Sequence, residues 1–271
     1  MKPTFLAKVF GMNEEKVLVE QRGHVLFIGL NRADKYNAAD MELLEQLSLA
    51  YGKLDSDPNL RVGLVYAVGE HFTAGLDLAD VAPRLNADGL SLVPEGGLDP
   101  WGIQTKSCSK PVVMAIQGTC FTLGVELALN SEVVIASEEA TFAQLEVSRG
   151  ILPFGGASKR MPRSAGWSNA MKYLLTGEKF NSQEALRLGI VNEVVAKGAA
   201  IDRALDIANK ISAQAPLAVQ ATLASARAAL VDEAAEDAFV GKRLARLAAS
   251  NDARKAMDSY LSKEPVKFEG N

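Results

Sequence analysis

Two nearly continuous apolar runs, residues 62–68 and 111–116, each lead directly into a turn of small residues. Apolar runs of this length without alternation are typical of strands that are buried on both faces of a parallel sheet. Apolar residues at helical spacing precede the first run, over residues 41–54, and follow the second, over residues 123–130. Strands that alternate with helices in this way predict an α/β core.

The same pattern extends toward both ends of the chain. Residues 17–20 and 24–30 are rich in β-branched and apolar side chains and flank a three-residue turn, which predicts a hairpin. Residues 132–137 predict a further strand. From Ser182 onward the chain is mostly helical, because alanine-rich stretches follow a helix-start pattern. The predicted C-terminal helices cover residues 199–214, 216–231 and 233–250.

We expect three regions along the chain. Residues 1–14 form an N-terminal leader, residues 15–200 form the α/β core, and residues 201–271 form a helical region that serves oligomerisation. Within the core, residues 82–97 are rich in proline and glycine and show little periodicity. This composition predicts a mobile flap of the kind that covers a pocket.

Composition restricts the class of protein. Hydrophobic residues make up 48% of the 271 residues and charged residues 23%, so we expect a soluble globular protein. The formal net charge of −4 disfavours a nucleic-acid partner. The sequence contains no run of about 18 apolar residues, which is the length needed to span a membrane. Cys108 and Cys120 lie outside any CxxC or Cys/His cluster. They are therefore interpreted as reduced thiols of a cytoplasmic protein.

Several reaction classes lack their parts. The sequence holds only two histidines, His24 and His71, too few for a histidine metal site or a Ser-His-Asp nucleophile. It has neither the GxxxxGK[ST] phosphate loop nor a GxGxxG dinucleotide motif after a strand. We therefore expect no metal and no redox cofactor.

Two isolated carboxylates lie in apolar surroundings. Glu126 falls within the apolar helix, and Glu146 lies in the segment 141–147, which also contains Phe142, Ala143, Leu145 and Val147. Burying a carboxylate is costly unless it is paired or used, and two acids in one pocket can form a general acid/base pair when burial shifts their pKa values. The alternative is that Glu126 faces solvent from an amphipathic helix and that Glu146 is an ordinary surface residue.

A turn of small residues could bring main-chain N–H groups close to a ligand. In the segment 71–78 the first buried strand ends at Thr73-Ala74-Gly75, and the N–H of Leu76 would point outward. The start of the helix near Leu123 offers further free N–H groups and the positive end of a dipole. The plainer interpretation of the first segment is a strand-to-helix turn that Asp77 caps.

The order and spacing of these segments resemble the crotonase, or enoyl-CoA hydratase/isomerase, family from about Glu15 onward. The matching segments are LNR at 30–32 with NA at 37–38, FTAGLDL at 72–78, QG at 117–118 with EL at 126–127, FAQLE at 142–146, PFGG at 153–156 and the tail at 264–270. The resemblance implies a ClpP/crotonase-like α/β fold, a spiral of repeated ββα units with a C-terminal α-helical trimerisation section. It further implies a homotrimer or a dimer of trimers.

The resemblance also implies a mechanism. The N–H groups of Leu76 and Leu123 would form an oxyanion hole for the thioester carbonyl of an acyl-CoA substrate. Glu126 and Glu146 stand 20 positions apart, as the two glutamates of the family's hydratases do. Glu126 would orient water and Glu146 would transfer a proton at C2, which converts a 2-enoyl-CoA to a 3-hydroxyacyl-CoA. Coenzyme A is part of the substrate, so no separate cofactor is expected.

Two related functions stay open. A Δ3,Δ2-enoyl-CoA isomerase needs only one of the acids, typically that at Glu146. A catalytically silent acyl-CoA-binding homologue is the other alternative, because Thr122 and Leu123 stand where the family's hydratases usually have glycines. Phe154 offers no acid, which disfavours a dienoyl-CoA isomerase.

The resemblance also gives candidates for binding coenzyme A. The family holds this part of its substrate largely through main-chain atoms of the first motif and of the loop that precedes the first helix, with basic side chains near the phosphates. The corresponding residues here are Arg32, Lys35, Ala38, Ala74, Gly75, Asp77 and Leu78.

Overall fold

The computed structural model describes residues 15–84, 91 and 93–271. The strands of the described residues are β1 Val17–Arg22, β2 Val25–Leu30, β3 Val62–Ala67, β4 Val112–Ile116, β5 Thr119–Phe121, β6 Val133–Ser137, β7 Thr141–Ala143, β8 Phe180–Asn181 and β9 Glu193–Val195. Their α-helices are α1 Met41–Ser56, α2 Leu78–Val81, α3 Leu123–Ala128, α4 Ala157–Ala165, α5 Trp167–Thr176, α6 Ser182–Arg187, α7 Ala200–Ser212, α8 Pro216–Ala229, α9 Glu233–Ala248 and α10 Asn251–Ser262.

The larger sheet has six strands in the order β1-β2-β3-β4-β6-β9. All neighbours in it are parallel except the β1–β2 hairpin, where Val17 pairs with Leu30. Every residue of β2 and β4 is buried, which agrees with their unbroken apolar sequences. The expected α/β core with a largely parallel sheet is confirmed.

Helices cover both faces of this sheet. On one face α1 packs through Leu43, Leu44 and Leu47, and its first turn is capped because the carboxylate of Asp40 accepts a hydrogen bond from Leu43 N at 3.0 Å. On the other face α7 buries a row of alanines against β3, β4 and β6. Although the proposed division after residue 200 assigns α7 to the C-terminal region, this helix packs on the sheet of the core.

A second, three-stranded sheet lies beside the first and has the order β5-β7-β8. This sheet was not predicted, because strands of two or three residues leave no readable alternation in the sequence. Its core is aromatic: the rings of Phe142 and Phe180 stack with their centroids 5.7 Å apart. This small sheet matters for function because β5 leads into Thr122 and β7 leads into Glu146.

The last three helices extend beyond the sheets. Helix α8 has no buried residue, and α8 packs mainly on α9. Arg227 attaches α8 to the core, because its guanidinium donates to Cys108 O and pairs with Glu132, both at 2.5 Å. Arg61 likewise donates to Phe268 O in the tail at 2.7 Å. These few polar contacts hold a helical arm whose apolar side chains stay exposed.

The structure refines several of the sequence predictions. The hairpin turn falls at Gly23 and His24, so residues 21 and 22 belong to β1. Part of the predicted flap, residues 85–90 and 92, and the whole leader, residues 1–14, lie outside the described residues. Cys108 and Cys120 are both buried free thiols. Among the described helices, none combines the length and the apolar character that crossing a membrane requires.

Candidate active site

Two sharp turns meet beside the small sheet. The first follows β3 and contains Gly75, whose φ of 104° is open to glycine and unfavourable for other residues. The second contains Thr122, between β5 and α3. Thr73 joins the two, because its N–H donates to Thr119 O at 2.9 Å and its carbonyl accepts from Phe121 N at 3.0 Å. A side chain at position 75 would collide with that of Thr122, so the two turns are in direct contact.

The N–H group of Leu76, in the turn that contains Gly75, faces away from Ala39 in the loop before α1. Ala39 donates to Gly75 O at 2.8 Å and accepts from Asp77 N at 2.9 Å, so the residues on either side of Leu76 bind one side of the segment. Because successive groups alternate along extended backbone, the N–H of Leu76 points to the opposite side, where its side chain lines a cavity. It has no hydrogen-bond partner among the described residues.

The N–H group of Leu123 is the first of helix α3. Thr122 N donates to Ala143 O at 2.8 Å and Glu126 N donates to Thr122 O at 3.1 Å, whereas the N–H of Leu123 finds no acceptor in the described part of the chain. The indole N–H of Trp101 donates to Leu123 O at 2.9 Å and fixes this residue from behind. Two main-chain donors, at positions 76 and 123, therefore stand on adjoining turns beside one cavity.

Glu126 is buried in α3, with an exposed fraction of only 1%. Its carboxylate accepts a hydrogen bond from Ala157 N at 3.1 Å, and the amides of Gly155 and Gly156 and the guanidinium of Arg160 also favour its charged form. Burial outweighs these contacts and raises the pKa of Glu126 to about 7. The alternative of a solvent-facing position on an amphipathic helix is thereby wrong.

Glu146 is also buried, at the start of a short 3-10 turn after β7. Burial, and then the nearby charge of Glu126, raise the pKa of Glu146 to about 7. The side-chain amide of Gln144 faces both carboxylate oxygens of Glu146 and the carbonyl of Thr122, so its nitrogen donates to them at 3.0, 3.0 and 3.2 Å. Glu146 is thus held in place and is not an ordinary surface residue.

A cavity of about 200 Å³ brings these groups together. A smaller cavity of about 30 Å³ adjoins it and shares four lining residues, among them Glu126 and Phe154. The lining is largely apolar, with both acids in it, and this suits an acyl chain with a reacting centre at one end. The larger cavity is lined by Ala74, Leu76, Leu78, Thr122, Leu123, Glu126, Leu145, Glu146, Arg149, Ile151 and Phe154.

The loop before α1 braces the first turn. Arg32 pairs with Asp77 at 2.9 Å and with Asp40 at 3.2 Å, and it donates to Ala38 O at 2.8 Å. Asp77 therefore binds Arg32 and does not cap α2, since its side chain accepts no capping hydrogen bond there. The predicted cap is wrong.

The remaining candidates for coenzyme A lie around the same turn. Lys35 is exposed in a short 3-10 turn and forms no ion pair with a described residue. Ala74 and Leu78 line the larger cavity, and Ala74 N donates to Tyr36 O at 2.9 Å. Of the predicted binding residues, Ala74 and Leu78 therefore line the cavity, while contact of the whole set with coenzyme A stays a prediction.

The residues that support the two acids were not among the predicted site residues. Gly155 approaches Glu126 so closely that a Cβ there would lie 2.5 Å from Oε2, and Ala157 supplies a donor. Gln144 holds Glu146, and Trp101 holds Leu123. The adjacent glycines at 155 and 156 were a visible signal of close approach, but the partner that they approach lies about 30 positions earlier in the chain.

Comparison with known proteins agrees with this geometry. A model of the family described as enoyl-CoA hydratase/isomerase matches residues 20–271. The crystal structure of a probable enoyl-CoA hydratase/isomerase from Mycobacterium abscessus has a TM-score of 0.92 and 47% identity, and covers 95% of this chain and 99% of that one. An enoyl-CoA hydratase structure from Mycobacterium tuberculosis H37Rv has a TM-score of 0.86 and 32% identity, with coverage of 95% and 100%. A probable enoyl-CoA hydratase from Rhizobium meliloti is 32% identical over 95% of this chain and 99% of its own length.

The parallel sheet with its small companion sheet and C-terminal helices is the crotonase fold. Its cavity lies between two main-chain donors and two buried acids. The chain belongs to the enoyl-CoA hydratase/isomerase family.

Proposed function

We propose that this protein is an enoyl-CoA hydratase that adds water across the 2,3 double bond of a 2-enoyl-CoA. The observation that carries this proposal is the pair of buried glutamates, 126 and 146, each with a pKa of about 7, in one cavity with two main-chain N–H groups that have no acceptor among the described residues. Acids whose pKa lies near the working pH can both accept and donate a proton, as a hydration reaction requires. The hydratase names of the relatives support the same reaction.

The proposed reaction follows from the geometry. The thioester oxygen accepts hydrogen bonds from the N–H groups of Leu76 and Leu123, which stabilise the negative charge that develops on it. Glu126 orients a water molecule and accepts one of its protons, as the water oxygen forms a bond to C3 and the electrons of the double bond move toward the thioester oxygen. Glu146 delivers a proton to C2 as the enolate collapses. The net change is the addition of one hydrogen and one hydroxyl group.

The binding of coenzyme A is proposed on a weaker basis. Lys35 is an exposed cation on the loop that contacts the first turn, so it is available to a phosphate. Arg32 is already paired with two carboxylates and supports the turn, and we expect it to act on the substrate mainly through Asp77 and Ala38. The main chain of residues 74–78 lies at the cavity and would contact the pantetheine. No separate cofactor is required.

The second candidate is a Δ3,Δ2-enoyl-CoA isomerase. One observation favours it. Of the two acids, only Glu146 accepts a hydrogen bond from Gln144, which makes Glu146 a well-oriented proton carrier on its own. Glu126 would then be dispensable. Phe154 lines both cavities and places no acid there, so a dienoyl-CoA isomerase is not supported.

The test is a panel of thioesters with product identification. Wild-type protein and the Glu126→Gln and Glu146→Gln variants are given short and medium 2-enoyl-CoAs, and the loss of the conjugated absorbance is followed. Each substitution is expected to lower kcat by about 10²- to 10⁴-fold, because each removes one acid/base group. Isomerisation of 3-enoyl-CoA that survives Glu126→Gln would support the second candidate. Tight binding without turnover in the wild type would instead indicate a silent homologue.

We further propose that the protein works as a trimer or a dimer of trimers in the cytoplasm. Exposed apolar side chains at the end of α8 and on α9 support the first proposal, since Leu230, which follows α8, and Phe239 and Leu244 on α9 are each more than half exposed in the single chain. The buried free thiols of Cys108 and Cys120 support the second. Light scattering on the purified protein and fractionation of the producing cell test them.

A further inference from the structure

Thr122 has a main-chain conformation that is rare for a residue with a side chain. Its φ is 50° and its ψ is −114°. Tyr36 and Lys263 also have positive φ, but their ψ values of 33° and 20° lie in the small left-handed region that other residues can enter. The conformation of Thr122 lies outside that region, and a β-branched side chain makes it more costly. The main chain at this position is strained.

The neighbours of Thr122 prevent this strain from relaxing. Its N–H donates to Ala143 O at 2.8 Å, and its carbonyl accepts from Glu126 N at 3.1 Å and from the Gln144 amide at 3.2 Å. Both peptide groups around the residue are therefore fixed by elements that also carry the acids. An outlier of this kind persists only where the surroundings determine it, and such outliers cluster at functional sites.

The Thr122 hydroxyl adds a second unfavourable term. Its Oγ1 is buried and has no hydrogen-bond partner among the described residues. A buried hydroxyl without a partner is destabilising, because it has lost its contacts with water.

The same hydroxyl occupies the space beside Gly75. The atom nearest to a Cβ built on Gly75 is Thr122 Oγ1, and the Cβ and Cγ2 of Thr122 follow at 3.3 and 3.6 Å. The side chain of Thr122 thus lies against the turn that precedes Leu76, while its own carbonyl carbon is bonded to the nitrogen of Leu123. Thr122 therefore contacts the turn before Leu76 and is itself bonded to Leu123, the two residues whose main-chain N–H groups have no acceptor among the described residues.

We propose that Thr122 is a positioning residue, a strained wedge that sets the separation of the Leu76 and Leu123 amides at the expense of conformational stability. The proposal rests on the proposed function, since it assigns these two amides to the thioester oxygen. It follows that a glycine at position 122 relieves the strain and lets the two turns shift against each other.

The test compares Thr122→Gly with Thr122→Ser and with Lys263→Gly. Lys263 also has positive φ but ends α10, far along the chain from the site, so its replacement by glycine is a control for introducing glycine at a position of positive φ. Thermal unfolding and kcat and KM on a 2-enoyl-CoA are measured for each variant. The absorbance maximum of bound para-dimethylaminocinnamoyl-CoA is also recorded, because it moves to longer wavelength as the thioester carbonyl is polarised.

For Thr122→Gly we expect the Tm to rise by about 2–4 °C, as relief of strain implies for a chain of this size. We expect its kcat to fall by about 10- to 100-fold with a smaller change in KM, because a misplaced donor affects the transition state most. The absorbance shift should shrink with it. Thr122→Ser keeps Cβ and Oγ1 and should rescue most of the activity. Lys263→Gly should leave kcat and the absorbance shift as in the wild type.

The proposal is overturned if Thr122→Gly lowers the Tm, or if it keeps both the kcat and the absorbance shift of the wild type. Failure of the proposed function looks different, since the wild-type protein itself would then turn over none of the enoyl thioesters. In that case the Tm and the absorbance shift of the bound chromophore still report on Thr122 alone.

Discussion

Glu126 and Glu146 have their pKa values raised by the same main cause, burial, but different groups contact them. Main-chain amides of residues 155–157 donate toward Glu126, whereas Glu146 receives a side-chain amide from Gln144. Only Glu146 has its pKa raised noticeably by the other acid. The two carboxyl groups therefore titrate as an interacting pair in which neither is fully ionised near neutral pH.

This pair predicts a bell-shaped pH dependence. With both pKa values at about 7, kcat/KM should be highest near pH 7, where the pair shares one proton, and should fall on either side. Glu126→Gln removes a negative charge that raises the pKa of Glu146, so that pKa should fall. The alkaline limb of the residual activity should accordingly move to lower pH. An alkaline limb that stays in place would contradict the coupling of the two acids.

The buried acid also predicts a dependence of stability on pH. The pKa of Glu126 is raised from 4.5 in the unfolded chain to about 7, so the folded state binds the proton more tightly. The contribution of Glu126 to the free energy of unfolding is therefore fully present below about pH 4.5 and is lost as the pH rises through about 7. Glu126→Gln avoids the loss, and at pH 8 it should unfold with a free energy up to about 3 kcal/mol higher than the wild type.

Urea unfolding at pH 5 and at pH 8 measures this difference. Glu45→Gln is the matched control, because Glu45 is exposed on α1 and its neutralisation should change little at either pH. If Glu126→Gln gains no stability relative to the wild type between pH 5 and pH 8, Glu126 is not a desolvated acid in the folded state.

At the scale of elements, the turn that leads into α4 determines where the Glu126 carboxylate lies. A Cβ on Gly155 would come within 2.5 Å of Glu126 Oε2 and 3.0 Å of Trp101 Cδ1, and both atoms belong to buried side chains. Gly155→Ala should therefore displace the carboxylate and lower kcat by about tenfold or more, since misplacement of this order is costly in catalysis.

The control for this prediction is Ser168→Ala. Ser168 is exposed on α5 and does not line the cavity, so the variant should keep its activity. Steady-state kinetics with circular dichroism distinguish a local effect from misfolding. An active Gly155→Ala enzyme would show that the carboxylate can move without consequence.

Long, periodic elements were predictable from the sequence, and short ones were not. Helix α1 and strands β3 and β4 follow from their apolar patterns, and α7, α8 and α9 begin within about one residue of their predicted starts. Strands β5 and β7 have three residues each, and α4 contains Pro162. Such elements are formed by tertiary contacts, which override weak local preference.

For the candidate site, the sequence indicated which residues are chemically unusual but not how they are supported. An acid among apolar residues can be recognised in the sequence alone, and Glu126 and Glu146 were predicted in this way. The contacts of Gln144 with Glu146 and of Gly155 with Glu126 depend on the fold, because the second pair is 29 positions apart. The resemblance to a known family placed the two acids in one pocket before any such contact was known.

At the scale of the whole molecule, the single chain leaves a helical arm without a partner. Helix α8 buries none of its residues, and a groove between α8 and α9 is lined by apolar side chains that include Val240, Leu244 and Leu247. Single exposed apolar residues are normal on proteins, but a continuous apolar surface of this kind marks an interface. This surface supports the proposal that the arm packs against other copies of the chain.

Leu244→Glu tests whether this groove is buried against another copy of the chain. Leu244 is 67% exposed in the single chain, and a carboxylate in its place would lose its water in an assembled interface, which is costly. The variant should therefore dissociate toward the monomer in light scattering, while the wild type gives the mass of three or six chains. Leu175→Glu is the matched control, since Leu175 is 68% exposed but lies on α5. If both variants keep the wild-type mass, the groove of α8 and α9 does not hold the assembly together.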